Sequence, residues 1–384
     1  MASQRKPLVS FLGPVASYTH QAVRQAFSDD TWEFQPAVTI DDVFEQVQEG
    51  QVQAGVVPFE NSTNGSVVFT LDNLADRANR YPDITVDGET YVDVHHCLVG
   101  HRSTAPIVEE TAEGSGACTP TTMDPSPSKP RSKPLASLKH IQRLYSHPQA
   151  FGQCTAFIST YLKGVEIFEV SSTSKAAEIV SKDTTGTWAA ISSELAAGLN
   201  GLDFLGKSIE DREDNTTRFL VIGTNAAGPK DLEKTKQAVA DKGSKSLVSF
   251  TVPHTSPGAL ADALSCFRAF NLNLTSINSR PSLVQPFQYI FFIEFEGHKY
   301  DDPEGRVNGA LERISCVAES WRAMPWFSAP SAKMYIHRDT TQSPTNLGES
   351  NAGTSPENDR HFWGVGSSGD IDPSECFAKS TGQG

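Results

Sequence analysis

The sequence lacks the usual marks of cofactor chemistry. It has no phosphate-binding P-loop, no glycine fingerprint after a strand and no His-Glu-x-x-His run. Its six cysteines (Cys97, Cys118, Cys154, Cys266, Cys316 and Cys376) include no pair at metal-ligand spacing. Neither a cofactor nor a metal is expected. A chain of 384 residues has no need of disulfide staples, so reduced thiols are expected. Long apolar runs are absent, and residues 1–7 are short and polar, unlike a secretory or transit leader. This reads as a cytoplasmic protein without a membrane span. Basic residues are also in deficit: 32 Lys and Arg against 46 Asp and Glu give a formal charge of −14. Such a chain repels nucleic acid and anionic membranes at long range. An anionic metabolite would have to be met by local donors.

What is present is an ordinary globular composition, 38% hydrophobic and 20% charged, which argues for a soluble globular protein over a disordered or fibrous one. Strand-like and helix-like patterns alternate from residue 8 to about 224, which argues an α/β fold. Residues 8–12 read as a buried strand and 17–27 as a helix. Thr39 and Asp42 resemble a capping box for a helix through Val43, Phe44 and Val47. Residues 54–57 read as a short strand broken by Pro58. Residues 102–138 hold six prolines and no apolar period, and read as a disordered insertion. Beyond it, Pro148 suits the first turn of a helix whose apolar face is Phe151, Cys154, Ile158, Tyr161 and Leu162. Residues 225–245 read as a linker. Residues 246–338 give the order βαββαβ, which is ferredoxin-like, with the last strand at 333–336. Residues 339–384 read as a disordered tail.

Four polar clusters stand where strands end and helices begin. The first is Gly13-Pro14-Val15-Ala16-Ser17-Tyr18-Thr19, where free N–H groups and the helix dipole suit an anion. Ser17 is equally a simple cap. The second is Pro58-Phe59-Glu60-Asn61-Ser62-Thr63-Asn64-Gly65-Ser66, read as a loop leading into a helix. Glu60 can move a proton, while Asn61 and Ser62 can fix carboxylate or hydroxyl groups. In the third, Tyr145 to Gln153, His147 is either a base or a cap. Ser172 and Thr173 repeat the cap theme. In the fourth, Asp211 to Phe219, Arg218 can hold a carboxylate in bidentate fashion or pair with Asp211 or Asp214.

Taken together, Gly-Pro-x-x-x-Tyr, Pro-x-Glu-Asn-Ser-x-x-Gly, Ser-His-Pro-Gln-x-x-x-Gln and Asp-x-x-x-Asn-x-Thr-Arg-Phe resemble the prephenate dehydratase family, in order, in a fungal-like monofunctional form. The resemblance covers about residues 7–224 apart from the insertion. It implies two α/β lobes, similar to those of periplasmic binding proteins, closing over the substrate. It implies that Glu60, Asn61, Ser146, Gln153, Thr217 and Arg218 line the cleft. Ser17, Tyr18, Ser62, His147, Ser172, Thr173, Asn215 and Phe219 are added as candidate binding residues. Ala16 stands where the family usually has glycine. The second domain, at 246–338, is similar to an ACT domain. Gly258, Ala259 and Leu260, with Asn278, Ser279, Arg280 and Pro281, match the segments that form a phenylalanine site there. Asn278 replaces a Glu of that motif.

The implied reaction takes prephenate to phenylpyruvate with loss of CO₂ and water, in phenylalanine biosynthesis. Thr217 is the candidate for aiding the leaving hydroxyl, with Glu60 as a rival acid and Asn61 beside them. Phenylalanine is expected as an effector, and a homodimer or homotetramer as the assembly. Two other readings remain open: an arogenate dehydratase, and a non-catalytic amino-acid sensor.

Overall fold

The computed structural model describes residues 6–103, 129–224, 244–253 and 255–327. Backbone contacts divide the chain into two units. One holds the chain up to Thr70 and Glu89–Gly223. The other holds Leu71–Gly88 and the chain from Thr224 onward.

In chain order the first unit begins with β1 (Leu8–Leu12), α1 (Tyr18–Ala26), β2 (Glu33–Ala37), α2 (Ile40–Gln48), β3 (Ala54–Asn61) and β4 (Gly65–Ser66). Next come α3 (Val68–Ala75) and β5 (Ile84–Asp93), each divided between the two units, then β6 (Cys97–Gly100), β7 (Arg143–Ser146), α4 (Pro148–Gly152) and α5 (Thr155–Tyr161). Then β8 (Glu166–Glu169), α6 (Thr173–Ser181), β9 (Trp188–Ser192), α7 (Glu194–Asn200), β10 (Asp203–Gly206) and β11 (Thr216–Thr224) complete it. Two sheets form, ordered β2-β1-β3-β11-β5, with β4 paired to β3, and β10-β6-β9-β7-β8. Each has a parallel core joined through helices and an antiparallel strand arriving from the other sheet. The expected two-lobed α/β architecture is present. The chain passes between lobes at residues 94–96 and again at 207–215.

Local chemistry accounts for the elements. Ser17 accepts the His20 N–H at 3.2 Å and opens α1, which buries Ala22, Val23 and Ala26. The Thr39–Asp42 capping box is present at the head of α2. Gly55 lets α2 lie close on β3, because a Cβ there would stand 2.6 Å from Val43 Cγ1. Ala16 adopts φ +72°, a region that favours glycine, and is nevertheless buried among Tyr145, Ala176 and Ala197 of the second lobe.

Several sequence expectations need correction. Pro58 does not break its strand; β3 runs on to Asn61. β1 pairs only as far as Val56, and the register to β11 shifts between Arg218 and Phe219, so the missing N–H of Pro58 costs little pairing. Glu60 and Asn61 therefore sit on a strand that turns back into β4, not in a loop before a helix. The helix expected from Pro148 onward is two helices, parted at Gln153 and Cys154. Asp211 takes the free donors at the head of α5: Thr155 N at 2.9 Å, Thr155 Oγ1 at 2.8 Å and Ala156 N at 3.0 Å. Residues 129–138 are not part of a disordered insertion. Leu135 N–H donates to Leu205 O at 2.7 Å, and Ala136 and Ser137 are buried. The remainder, 104–128, lies outside the described residues.

The second unit carries β12 (Ser244–Thr251), α8 (Ala259–Ala269), β13 (Leu274–Pro281), β14 (Tyr289–Glu296), α9 (Arg306–Val317) and β15 (Ser320–Phe327). The antiparallel sheet is ordered β13-β14-β12-β15, the ferredoxin-like topology read from the sequence. Phe250, Phe267, Ile293, Phe295 and Ile314 share its core. Its last described strand is β15; the strand expected at 333–336 lies outside the described residues, as do the tail and residues 225–243 of the linker. Residues 71–88, expected in the first domain, group with this unit. Asp72 on α3 receives both ends of the Arg280 guanidinium, each at 2.8 Å, and Arg77 at 2.9 Å. Those contacts hold the Asp72 carboxyl below its ordinary range against the opposing effect of burial.

The Asp211 cap gives a stability prediction. Asp211→Ala should destabilise the folded chain by about 1–2 kcal/mol, read as a lower urea midpoint with an unchanged m-value.

Candidate active site

The residues of the second and fourth clusters meet because β3 and β11 pair antiparallel. Thr217 lies opposite Asn61, and Arg218 opposite Glu60. Asn61 Oδ1 accepts the backbone N–H groups of Thr63 and Asn64 at 3.0 and 2.9 Å. Those donors leave its amide only one orientation. Asn61 Nδ2 therefore donates to Asn215 Oδ1 at 2.8 Å and to Thr217 Oγ1 at 2.9 Å. With Asn61 donating to it, the Thr217 hydroxyl keeps its own proton, and among the described residues nothing accepts that proton. Ser62 closes the hairpin. Its hydroxyl donates to Asp214 O at 2.8 Å and accepts the Thr216 N–H at 3.0 Å.

Arg218 is 8% exposed and sits 4.7 Å over the Phe59 ring. Its guanidinium meets Glu60 at 3.3 Å and Glu89 at 3.5 Å. Neither Asp211 nor Asp214 is its partner: Asp211 caps α5, and Asp214 pairs with Arg212 at 2.6 Å. Glu89 is 3% exposed and Glu60 is 37% exposed. Glu60 is thus the partner an incoming anion could replace.

A second group lies at the inter-lobe crossings. The Tyr18 hydroxyl is 3.0 Å from His95 O and 3.1 Å from His96 Nδ1. His96 Nε2 is 2.7 Å from Gln153 Oε1. The buried Glu210 carboxylate accepts the His96 backbone N–H at 2.8 Å, and lies 3.2 Å from His95 Nδ1 and 3.4 Å from Arg131. Val94 N–H donates to Asn215 O at 2.7 Å, tying the two crossings directly. Burial pushes the Tyr18 hydroxyl well above its ordinary range. Burial also lowers His96, with the Gln153 hydrogen bond and the Glu210 charge pulling the other way.

The other candidates have partners within the fold. Ser146 is fully buried and donates to Ile191 O at 2.8 Å. Phe219 is a core side chain. His147 caps α4 and Ser172 caps α6, while Thr173 O accepts the Ser192 hydroxyl. Among the described residues no hydrogen bond joins His147, Ser172 or Thr173 to either polar group. In the second unit Gly258, at φ +84°, precedes α8, with Ala259 and Leu260 in its first turn. Asn278, Ser279, Arg280 and Pro281 lie on β13, where Asn278 bonds Ser276 and Arg280 is held by Asp72. Among the described residues no group of His, Cys, Asp and Glu could hold a metal. The four described cysteines are free, and no described helix is long and apolar enough to cross a membrane.

Sequence reasoning missed Glu89, His95, His96, Arg131 and Glu210. The only local signal was the doubled histidine between two apolar strands. Arg131 was concealed in a proline-rich stretch.

Residues 9–227 match the family model described as prephenate dehydratase. The bifunctional chorismate mutase/prephenate dehydratase of Aquifex aeolicus is 32% identical over 314 residues, 82% of this chain and 71% of that protein. A Saccharomyces cerevisiae protein named "Probable prephenate dehydratase" is 32% identical over 367 residues, 86% of this chain and 98% of that protein. A solved prephenate dehydratase from Arthrobacter aurescens, in complex with L-Phe, superposes with a TM-score of 0.64 at 26% identity. It covers 83% of this chain and 89% of that one.

The His96 environment fixes a pH dependence. The folded imidazole takes up its proton below the unfolded value of about 6.5. Between the two values the unfolded chain binds more protons, so stability rises with pH through that window and is complete above it. Acidification from about pH 7.5 to 5.5 should therefore destabilise the chain, and His96→Gln should flatten that slope in denaturant titrations. His20 and His147, both lowered by burial, contribute in the same direction.

Proposed function

Because the chain belongs to the prephenate dehydratase family, and its reaction is the loss of water and CO₂ from prephenate to give phenylpyruvate, we propose that Thr217 hydrogen-bonds the departing ring hydroxyl. The supporting observation is the Asn61 amide. Its oxygen is committed to the Thr63 and Asn64 N–H groups, so its nitrogen must face Thr217. A threonine that accepts from one side can donate from the other. Thr217 is too weak an acid to release its proton outright, so it stabilises charge as the C–O bond lengthens. One such donor is worth ~3–4 kcal/mol.

Arg218 receives a substrate carboxylate by exchange. The half-exposed Glu60 leaves the guanidinium and Glu89 stays. Because Glu60 is ion-paired, it suits the holding and releasing of Arg218 better than delivery of the leaving-group proton. Ser62, Asn215 and Tyr18 hold the architecture of the site, and Gln153 offers a further donor from the second lobe. Closure of the lobes about residues 94–96 and 207–215 would exclude water, which favours CO₂ loss. No step calls on a cofactor.

The ferredoxin-like unit is proposed as an ACT regulatory domain that binds phenylalanine at Gly258–Leu260 and Asn278–Pro281. The solved relative that carries L-Phe supports this. A homodimer or homotetramer in the cytoplasm accompanies the proposal, and light scattering reads the assembly. Turnover should fall when phenylalanine is added and not when tyrosine is; equal response to both removes the effector assignment. Prephenate and arogenate offered separately, with product absorbance as readout, decide between the two dehydratase readings.

Thr217→Val should lower kcat by about 10²–10³-fold while thermal stability and KM stay close to those of the parent. Retention of most of the turnover would sink the Thr217 assignment. Asn61→Asp keeps acceptors for the turn but presents an acceptor to Thr217, which then turns its proton inward. It should cost kcat by about as much as Thr217→Val, and a mild effect would show that the direction of the Thr217 proton is unimportant.

A further inference from the structure

His96 takes no part in the chemistry assigned to Thr217 and Asn61, yet its side chain is buried and both ring nitrogens are engaged. Its backbone is held at both ends: the N–H donates to Glu210 at 2.8 Å, and the carbonyl accepts the Ile209 N–H at 3.0 Å. It thus stands where the two inter-lobe crossings touch. On one side is the Tyr18 hydroxyl, on the other the Gln153 side chain.

A neutral imidazole has one N–H and one lone pair, so a chain through it has a direction. In one direction Tyr18 donates to Nδ1, Nε2–H donates to Gln153 Oε1, and the Gln153 N–H₂ is left over. In the other, Gln153 donates to Nε2, Nδ1–H donates to Tyr18, and Tyr18 turns its proton to His95 O. The second would leave a carbonyl oxygen as the free end of Gln153. Gln153 Oε1 lies 2.7 Å from His96 Nε2, which calls for Nε2–H. The Tyr18 hydroxyl then gives its proton to Nδ1 at 3.1 Å in preference to His95 O at 3.0 Å.

The main chain of Gln153 is already fixed. Its N–H donates to Gln149 O and Ala150 O at 3.1 and 3.2 Å, and its carbonyl accepts the Asp211 N–H at 2.7 Å. Only the side chain can reorient, and His96 is its one hydrogen-bond partner among the described residues. The amide nitrogen has no such partner and is not buried.

We infer that His96 is a positioning residue: as the Nε2–H tautomer it pins Gln153 Oε1 and so presents the Gln153 N–H₂ to an anionic group of the substrate. This rests on the placing of Gln153 in the substrate cleft. It explains how a chain of strongly negative charge can offer an aimed neutral donor without another cation. A glutamine free to turn its amide over would also present its oxygen, and an oxygen repels a carboxylate.

The test uses the full chain, prephenate as substrate, and a double-mutant cycle. Gln153→Ala should raise KM by roughly tenfold or more with a smaller effect on kcat. His96→Leu should come close to the same value, and the double variant should be no worse than Gln153→Ala alone. His96→Gln should recover most of the loss, because its amide N–H₂ can reach the place of the imidazole Nε2–H. Multiplicative effects in the double variant, or no recovery in His96→Gln, overturn the inference while leaving Gln153 in the cleft. An unchanged KM in Gln153→Ala removes Gln153 from the cleft and overturns both. Independently of any variant, ¹⁵N-histidine spectra of the folded chain should show His96 as the Nε2–H tautomer. The Nδ1–H tautomer would reverse the chain and overturn the inference.

Discussion

The second and fourth polar clusters become a site through one constraint, the antiparallel register of β3 and β11. Thr217 faces Asn61, and Arg218 faces Glu60, only in that register. A slip of one residue would send each side chain to the opposite face of the sheet. Asn61 helps fix the register from the side chain outward. Its oxygen clamps the turn toward β4, while its nitrogen reaches Asn215 and Thr217 on β11. Ser62 repeats the clamp one residue on, bonding Asp214 O and Thr216 N–H. The same contacts that set the strand pairing also decide where the Thr217 proton points. Structure and chemistry here share hydrogen bonds, so a change at Asn61 acts on both.

The register also shapes the charge of the site. Arg218 is placed beside Glu60 by strand pairing and beside Glu89 on β5 by sheet order. The buried guanidinium lies against two carboxylates, and loss of Glu60 alone would still leave it paired with Glu89. Exchange of the more exposed carboxylate for that of a substrate preserves the balance. This suits a chain of net charge −14, which cannot draw an anion by its overall field and must receive it by replacing charge with charge.

How much of this was legible in the sequence depends on the range of the interaction. Caps are local, and Ser17, Thr39, His147 and Ser172 were found from hydroxyl, proline and acidic residues at fixed spacing. The first five elements of the second unit's βαββαβ order were readable from apolar periods, but its fourth strand is Ser320–Phe327, where no strand was expected. The halves of the Asn61–Thr217 contact lie 156 positions apart, and only the family resemblance brought them together. Asp211 looked like a partner for Arg218 because both fall in one motif. It caps α5, which begins 56 residues earlier. Residues 129–138 looked structureless because they close a stretch, 102–138, whose six prolines hide the short pairing of Leu135 with Leu205. Pro58 looked like a breaker because its tolerance depends on where a neighbouring strand ends.

The two polar groups of the first unit are not independent. Asn215 accepts from Asn61 through its side chain and from Val94 through its carbonyl. Two residues beyond Val94 is His96, whose ring bonds Gln153 of the second lobe. A continuous set of hydrogen bonds and two peptide links thus runs from the Thr217 hydroxyl to the Gln153 amide. At its midpoint the crossings are held by Glu210, a side chain 1% exposed that gathers the His96 N–H, His95 and Arg131. A buried carboxylate requires such donors, and Arg131 supplies its countercharge. The hinge between the lobes is therefore among the more tightly specified parts of the unit. The proposed closure of the lobes would be more cheaply taken up on either side of Glu210 than at it, and the donors from both lobes would then keep a common reference.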